Sequence, residues 1–402
     1  MGCTDKFFEN KRPWSIFKDR MLSWYLKPYI TKLLYMKKPL YIIDCFAGKG
    51  KFDDHKDGSP IIIAKQIQEV LEDNNIHNKE VKGIFIEKKY SRELEFNIDG
   101  YKKCKACKGT FEDNIERICK ARSVGNIFLY IDPYGIKSLK YEYIERICDS
   151  SYGNFNSIEM LINFNSNGFI REACRLLKYN ISDELIEEHE DNYEAQEVSE
   201  SYLTKIINSS KWKVLVTSYY KNILAYHEVE EKIVEEYVCS LKEKFKYCLN
   251  IPIKDKEKNI PKYRMIFCTN SKDGLLLMNK GMNNTANEMR EQELGGQMSL
   301  FSLPEIQDVR WFGKYAYELL SQYDETEFID FVCAIIDKMN ILYTESDIRQ
   351  KLKIMEKQGA ITVTRVRKDG STPSRRLTGW NWKDNKIKIR LVESILINEG
   401  VI

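Results

Sequence analysis

The stretch that most constrains the fold is Tyr41–Gly50, which reads YIIDCFAGKG. Its apolar start is typical of a buried strand of a parallel sheet, because the run ends directly at a turn. Asp44 places a carboxylate at the end of that strand. Ala47, Gly48 and Gly50 follow it, and small residues let a backbone pass close to a ligand. Ligands of open α/β sheets lie at the carboxyl ends of strands, so the stretch predicts a binding loop; an ordinary strand and turn is the alternative.

The order of the acid and the glycines separates this loop from the dinucleotide-binding pattern G-x-G-x-x-G. Phe52 stands where the third glycine would be, and the acid precedes the glycines. An acid followed by an aromatic residue, a small residue and G-x-G resembles the first motif of class I S-adenosylmethionine (AdoMet) methyltransferases. The resemblance implies that the loop holds the methionine end of AdoMet through Asp44, Phe46, Ala47, Gly48 and Gly50.

Length and charge set the domain organisation. A chain of 402 residues favours two or three domains, and 43% hydrophobic residues suffice for full cores. The net charge is only +3, so the whole chain is not an obvious polyanion binder. Residues 341–402 hold 13 Lys/Arg and 7 Asp/Glu, which gives +6 and concentrates the basic surplus at the C-terminal end.

Several classes of protein are disfavoured by the sequence. No apolar run reaches the roughly 18 residues of a membrane span, and Met1–Arg12 lacks a signal-peptide core. Eleven cysteines at irregular spacing suit a reducing cytoplasm. Cys104 and Cys107 form C-x-x-C without a second pair, which favours a strand, with metal binding as the alternative. We therefore expect a cytoplasmic protein without membrane segment or metal.

Strands and helices alternate after the glycine loop. Ser59 and Pro60 predict the start of a helix whose N-terminus suits a carboxylate. Glu87 ends a second strand, where an acid can accept hydrogen bonds from both ribose hydroxyls. A third strand leads to Thr110 and Phe111, at the turn where a class I enzyme would hold adenine.

A fourth strand, Asn126–Ile131, ends in Asp132-Pro133-Tyr134. This is similar to the Asp/Asn-Pro-Pro-aromatic turn of amino-nitrogen methyltransferases, shortened by one proline. The resemblance implies that Asp132, or a neighbouring carbonyl group, accepts from a substrate amine and that the Tyr134 ring stacks on a base. A type I turn with Pro133 at its second position is the alternative.

The remaining elements complete the expected architecture. Residues 1–40 predict a helical cap, with a helix Met21–Met36 interrupted at Pro28. Residues 41–290 predict a Rossmann-like α/β domain of the class I type, with seven strands and the last pair antiparallel. A helical insertion spans about 165–246, and Tyr247–Ile253 and Tyr263–Thr269 form the closing pair.

Five segments resemble, in order and spacing, the three-Cys-motif partner (TcmP) family over roughly residues 10–380. The family resemblance implies a class I methyltransferase-like fold and a three-Cys-motif protein as a possible partner. The matching segments are Asp44–Gly50, Gly58–Pro60, Ile131–Gly135, Leu161–Phe164 and Tyr263–Thr269.

Residues 291–308 are a linker by composition. The linker contains Gln297–Phe301, QMSLF, which resembles the peptide that bacterial replication proteins insert into the sliding clamp. A hydrophobic patch that docks the linker is the alternative.

Residues 309–402 predict a winged-helix domain. Three helices precede an alternating strand, Ala360–Lys368, which turns at Asp369-Gly370 and returns through Ser374–Leu377. A basic wing neutralises phosphates, so we expect nucleic-acid binding; a protein-docking winged helix is the alternative. The wing residues are Arg365, Arg367, Lys368, Arg375 and Arg376.

Together these patterns predict an AdoMet-dependent methyltransferase that acts on nitrogen, most simply the exocyclic amine of a nucleic-acid base. Three alternatives stay open. They are methylation of a protein or small molecule, a cofactor-binding regulator without turnover, and a structural partner of a three-Cys-motif protein.

Overall fold

The computed structural model describes residues 11, 13–36, 38–73, 80–150, 156–179, 199–254, 261–293, 309–371 and 379–392. The clamp-like peptide Gln297–Phe301, most of the predicted linker, Arg375 and Arg376 lie outside these ranges. The chain forms two compact units, Met1–Ser271 and Lys272–Ile402. In the described part, no helix is long and apolar enough to cross a membrane.

The first unit is built on one seven-stranded sheet of order β3-β2-β1-β4-β5-β7-β6. Its first five strands are parallel, and β7 runs antiparallel to both β5 and β6. This arrangement is the class I methyltransferase sheet, so the predicted Rossmann-like sheet with its antiparallel last pair is confirmed. The strands are β1 (Leu40–Asp44), β2 (Val81–Glu87), β3 (Cys104–Lys108), β4 (Asn126–Ile131), β5 (Ile158–Phe164), β6 (Tyr247–Lys254) and β7 (Pro261–Thr269).

Every residue of β4 and β5 is buried, because helices cover both faces of this sheet. On one face, the rings of Tyr25 and Tyr29 pack against Phe128 at centroid distances of 5.7 and 5.6 Å. On the other face, Leu129 packs with Ile118 and Ile144 in one apolar core. The helices of this unit are α1 (Pro13–Leu34), α2 (Ser59–Asp73), α3 (Ser91–Ile98), α4 (Ile115–Val124), α5 (Tyr141–Asp149), α6 (Ser166–Leu176), α7 (Glu200–Ile207), α8 (Trp212–Tyr220) and α9 (Tyr226–Leu241).

The N-terminal helix differs from the sequence prediction. Helix α1 begins at Pro13 and continues through Pro28 to Leu34, so the predicted interruption was wrong. A proline inside a helix removes one backbone hydrogen bond. Tyr25 and Tyr29 flank Pro28 and are almost fully buried against the sheet, and this tertiary packing holds the helix together across the missing bond.

The predicted helical insertion contains α6 to α9, which pack beside β7. A buried ion pair joins α9 to the sheet: Arg264 Nη2 lies 2.5 Å from Glu230 Oε2, and the Glu230 side chain has no exposed surface. Arg264 Nη1 also donates to Asn250 Oδ1 of β6 at 3.0 Å. The pair therefore fastens the insertion to the antiparallel edge of the sheet.

The described part of the second unit contains four α-helices and a small antiparallel sheet of order β8-β10-β9. Strand β9 pairs along its whole length with β10. The predicted return strand, Ser374–Leu377, lies outside the described residues. The first helix of this unit belongs by sequence prediction to the 41–290 domain, whereas its contacts group it here. The elements are α10 (Lys272–Glu293), α11 (Val309–Leu320), β8 (Thr326–Glu327), α12 (Phe328–Met339), α13 (Glu345–Lys357), β9 (Ile361–Arg367) and β10 (Asn385–Leu391). The winged-helix assignment itself stays a prediction.

Candidate cofactor and acceptor site

The glycine loop after β1 has a backbone that only glycine adopts readily. Gly48 and Gly50 have φ of 61° and 85°. The N–H of Gly48 donates to Glu87 Oε2 at 2.8 Å, and the N–H of Ala47 donates to the carbonyl oxygen of Ile86 at 3.0 Å. These bonds fix the loop to the end of β2 and leave its turn at the carboxyl ends of the strands.

Asp44 ends β1 and is completely buried. Its Oδ1 accepts from the N–H of Phe46 at 3.1 Å, and the Ser59 hydroxyl lies close enough to the carboxyl group to lower its pKa, whereas Oδ2 accepts no hydrogen bond of ordinary geometry from a described residue. Burial raises the pKa of Asp44 to about 7, and the Ser59 side chain and the Phe46 N–H oppose that rise. A buried carboxylate oxygen without a donor is costly, so this position suits the ammonium group of a ligand.

Glu87 at the end of β2 organises the neighbouring turns. Its Oε1 accepts from the N–H groups of Lys89 and Tyr90 at 2.7 and 3.0 Å. Its Oε2 accepts from Gly48, and an ionised carboxylate oxygen can accept a second hydrogen bond. The predicted ribose contact therefore stays a prediction, and the structure adds a second role, which is to hold the glycine loop.

The turn predicted for adenine lies beside the glycine loop. Thr110 and Asp113 exchange hydrogen bonds between side chain and backbone at 3.0 and 3.1 Å, which closes the turn. The Phe111 ring is buried and lies 5.8 Å from the ring of Phe46, centroid to centroid. The sheet thus brings together the residues that the sequence assigned to the methionine, ribose and adenine parts of AdoMet.

Asp132 follows β4, which lies next to β1 in the sheet. The Lys18 ammonium lies 2.9 Å from Oδ1 and 2.7 Å from Oδ2 of Asp132. Asn163 Nδ2 donates to Oδ1 at 2.6 Å, and the Tyr130 hydroxyl donates to Oδ2 at 3.1 Å. Four hydrogen bonds occupy the lone pairs of this carboxylate, so a substrate amine that binds Asp132 must replace one of these donors.

Lys18 and Asn163 were missed by the sequence prediction. Lys18 is 8% exposed on α1, and its ammonium lies 5.2 Å from the centroid of the Tyr263 ring. One signal was present, because Lys18 shares a helix face with the apolar Met21 and Leu22. Asn163 gave a similar signal as an amide in β5, whose only other polar residue is Glu159.

Tyr134 and Pro133 complete the predicted acceptor turn. Pro133 is buried, whereas 44% of Tyr134 is exposed. An aromatic ring with this exposure can offer a face to a flat substrate. Among the described residues, no group of three His, Cys, Asp or Glu side chains is placed to hold a metal ion.

The predicted nucleic-acid residues of the second unit separate into three groups. Arg365 binds the Glu356 carboxylate at 2.9 and 2.7 Å, and its side chain is only 6% exposed. Arg367 and Lys368 are exposed. Arg375 and Arg376 lie outside the described residues. Arg365 therefore stabilises the domain, and only part of the predicted wing presents positive charge.

Comparison with known proteins finds distant structural similarity only. No family model and no curated protein match the chain. Protein LPL1258 from Legionella pneumophila, of family model DUF519, is 12% identical with a TM-score of 0.34, covering 70% of this chain and 93% of that chain. The plantazolicin methyltransferase BamL, solved with a triazolic desmethylPZN analogue and SAH, is 12% identical with a TM-score of 0.30, covering 67% and 90%. Spermidine synthase from Thermotoga maritima is 9% identical with a TM-score of 0.29, covering 68% and 75%. These scores carry no argument about activity, and TcmP membership stays a prediction.

Proposed function

We propose that this protein binds AdoMet at the carboxyl edge of its sheet and transfers the methyl group to a nitrogen atom. The observation that carries the proposal is the buried Oδ2 of Asp44, which accepts no hydrogen bond of ordinary geometry from a described residue. Asp44 ends a strand of a sheet with class I order, and the loop that follows it contains glycines with positive φ. An ammonium group at Asp44 would supply the missing donor and favour the ionised carboxylate.

The other binding roles follow from the groups around the loop. The start of α2 at Ser59 presents backbone N–H groups that favour the ligand carboxylate. The second lone pair of Glu87 Oε2 suits a ribose hydroxyl, and Phe46 and Phe111 form an apolar wall for a base. Bound AdoMet supplies an activated methyl group on a sulfonium, so the protein's contribution is mainly positioning.

The acceptor side is proposed to be an amine, and the exocyclic amine of a nucleic-acid base fits the turn. Asp132 would orient the amine by accepting a hydrogen bond from it, and Tyr134 would stack on the base. The nitrogen would bond to the methyl carbon as the sulfur–methyl bond breaks, and the surplus proton on nitrogen would pass to solvent. A paired base would first have to leave its stack. The ammonium group of Lys18 already donates to both oxygens of Asp132. An incoming neutral amine would therefore have to replace this charged donor. Asn163 and Tyr130 would keep the carboxylate in place during that exchange.

One observation favours a second candidate function. The complete occupation of Asp132 by donors of the chain itself suits a protein that binds AdoMet without turnover. The two candidates share the cofactor site and differ only in whether an acceptor reaches it.

Transfer of tritium from methyl-labelled AdoMet into fractionated cell extract tests the proposal. We expect label in nuclease-sensitive material with the wild type and none with Asp44→Asn. Asp132→Asn should retain AdoMet binding and lose transfer. Label only in protein would reject the nucleic-acid acceptor, and AdoMet binding without any transfer would favour the second candidate.

A further inference from the structure

The second unit contains a basic and aromatic cavity that lies apart from the predicted wing tip. The cavity measures about 410 Å³, within the range of small-ligand sites. It lies between α13 and the chain that leads into β10. Its principal lining residues are Glu345, Arg349, Lys353, Trp380, Trp382 and Lys383.

Arg365 contacts the two residues Gly379 and Trp380, which form one wall of the cavity. The guanidinium carbon of Arg365 lies 5.1 Å from the centroid of the Trp380 ring, and Arg365 Nε donates to the carbonyl oxygen of Gly379 at 3.1 Å. Phe328 of α12 packs edge-on against the same ring at 5.3 Å. Trp380 is consequently buried and fixed, which makes this wall a preformed surface.

The opposite wall carries the charges. Arg349 and Lys353 are four residues apart on α13, so they project from one face of the helix. Glu345 lies one turn earlier; its Oε1 is 3.6 Å from Arg349 Nη1 and accepts no hydrogen bond from any described residue. Lys383 adds a third cation to the cavity, and the half-buried Trp382 supplies a ring that is partly open to solvent.

We propose that this cavity binds one unpaired nucleotide of a single-stranded nucleic acid. Trp382 would stack on the base, and the three cations would contact the flanking phosphates. A duplex keeps its bases stacked on each other and cannot offer one to Trp382. The site is independent of AdoMet binding, so it stands or falls separately from the proposed methyl transfer.

Fluorescence anisotropy of the full chain with labelled oligo(dC) and oligo(dT) of about ten nucleotides tests the proposal. We expect tighter binding to both single-stranded oligonucleotides than to a duplex of the same length. Trp382→Ala should weaken binding by about 5- to 150-fold, whereas Trp382→Phe should recover most of it because a ring is restored. Arg349→Ala with Lys353→Ala should flatten the salt dependence by up to about 1.4, the value for two single-strand phosphate contacts.

Lys205→Ala with Lys232→Ala is the matched control, because it removes two exposed cations from the first unit. This control should bind as the wild type does. Wild-type protein that binds neither oligonucleotide would overturn the proposal, as would an affinity for the duplex equal to that for the single strands. The proposal would also fail if Trp382→Ala bound the oligonucleotides as the wild type does. It would fail as well if the control lost as much affinity as Arg349→Ala with Lys353→Ala. Thermal unfolding of each variant shows whether a loss reflects the site or the fold.

Discussion

The binding of AdoMet should depend on pH through Asp44. Burial raises the pKa of this carboxyl group to about 7, and only the ionised form pairs with an ammonium group. At about pH 6 roughly one-tenth of Asp44 is ionised, so the association constant should fall about tenfold for each further pH unit. The α-amino group of AdoMet loses its proton near pH 7.7–8.0, the usual pKa of roughly 8 for such groups. Affinity should therefore pass through a maximum between about pH 7 and pH 8.

Titration calorimetry from about pH 5.5 to pH 8.5 measures this profile. Asp44→Asn keeps the shape of the side chain and removes its charge, so it should bind about 10- to 150-fold more weakly at the maximum. The affinity of this variant for AdoMet should also not fall as the pH is lowered below about 7, because the ionisable carboxyl group is gone.

Glu159→Gln is the matched control for that titration. Burial raises the pKa of Glu159 to about 7 as well, but this residue lies at the start of β5, away from the carboxyl edge. The control should keep the wild-type profile. A wild-type affinity that does not change below pH 7, or an Asp44→Asn affinity that still falls as the pH is lowered, would refute the role of Asp44.

Four further predictions concern stability and can be measured by urea or thermal unfolding. Because burial raises the pKa of Asp44 in the folded state, the stability associated with its protonated form is fully present below about pH 4 and is lost as pH rises from there through about 7; without ligand, Asp44→Asn should be more stable than the wild type by up to about 4 kcal/mol at pH 8 and should match it only near pH 3. Gly50→Ala should destabilise the fold by about 1–2 kcal/mol and weaken AdoMet binding, since φ is 85° there; an unchanged midpoint would contradict the loop geometry. Arg264→Met should cost about 3–5 kcal/mol by leaving Glu230 charged and buried, and adding Glu230→Gln should recover part of that loss. Arg365→Ala should lower the melting temperature of the second unit without changing the salt dependence of oligonucleotide binding, because its guanidinium group is already engaged by the domain.

The sheet and its loop could be predicted because their signals are local. An apolar run that ends in an acid and two glycines specifies both a buried strand and a turn at its carboxyl end. The same reasoning located Glu87 and Asp132, since each follows directly on a buried strand. The parallel order of the sheet then brings their ends together without further information from the sequence.

What escaped prediction depends on contacts between distant parts of the chain. Pro28 is a local helix breaker, and the packing of α1 on the sheet and on α2 keeps the helix continuous. Lys18 and Asn163 reach Asp132 from elements that are 114 and 31 residues away in sequence, and neither contact has a local pattern. Arg365 read as an exposed wing cation, whereas its pairing with Glu356 is visible only once α13 and β9 are packed together.

A crystal structure of the chain with bound S-adenosylhomocysteine tests the central claim most directly. The ligand keeps the amino-acid and nucleoside ends of AdoMet, so it should occupy the glycine loop. We expect its ammonium nitrogen within about 3 Å of Asp44 Oδ2 and a ribose hydroxyl at the same range from Glu87 Oε2. An ammonium group placed away from Asp44, or a glycine loop that stays empty at saturating ligand, would contradict the claim.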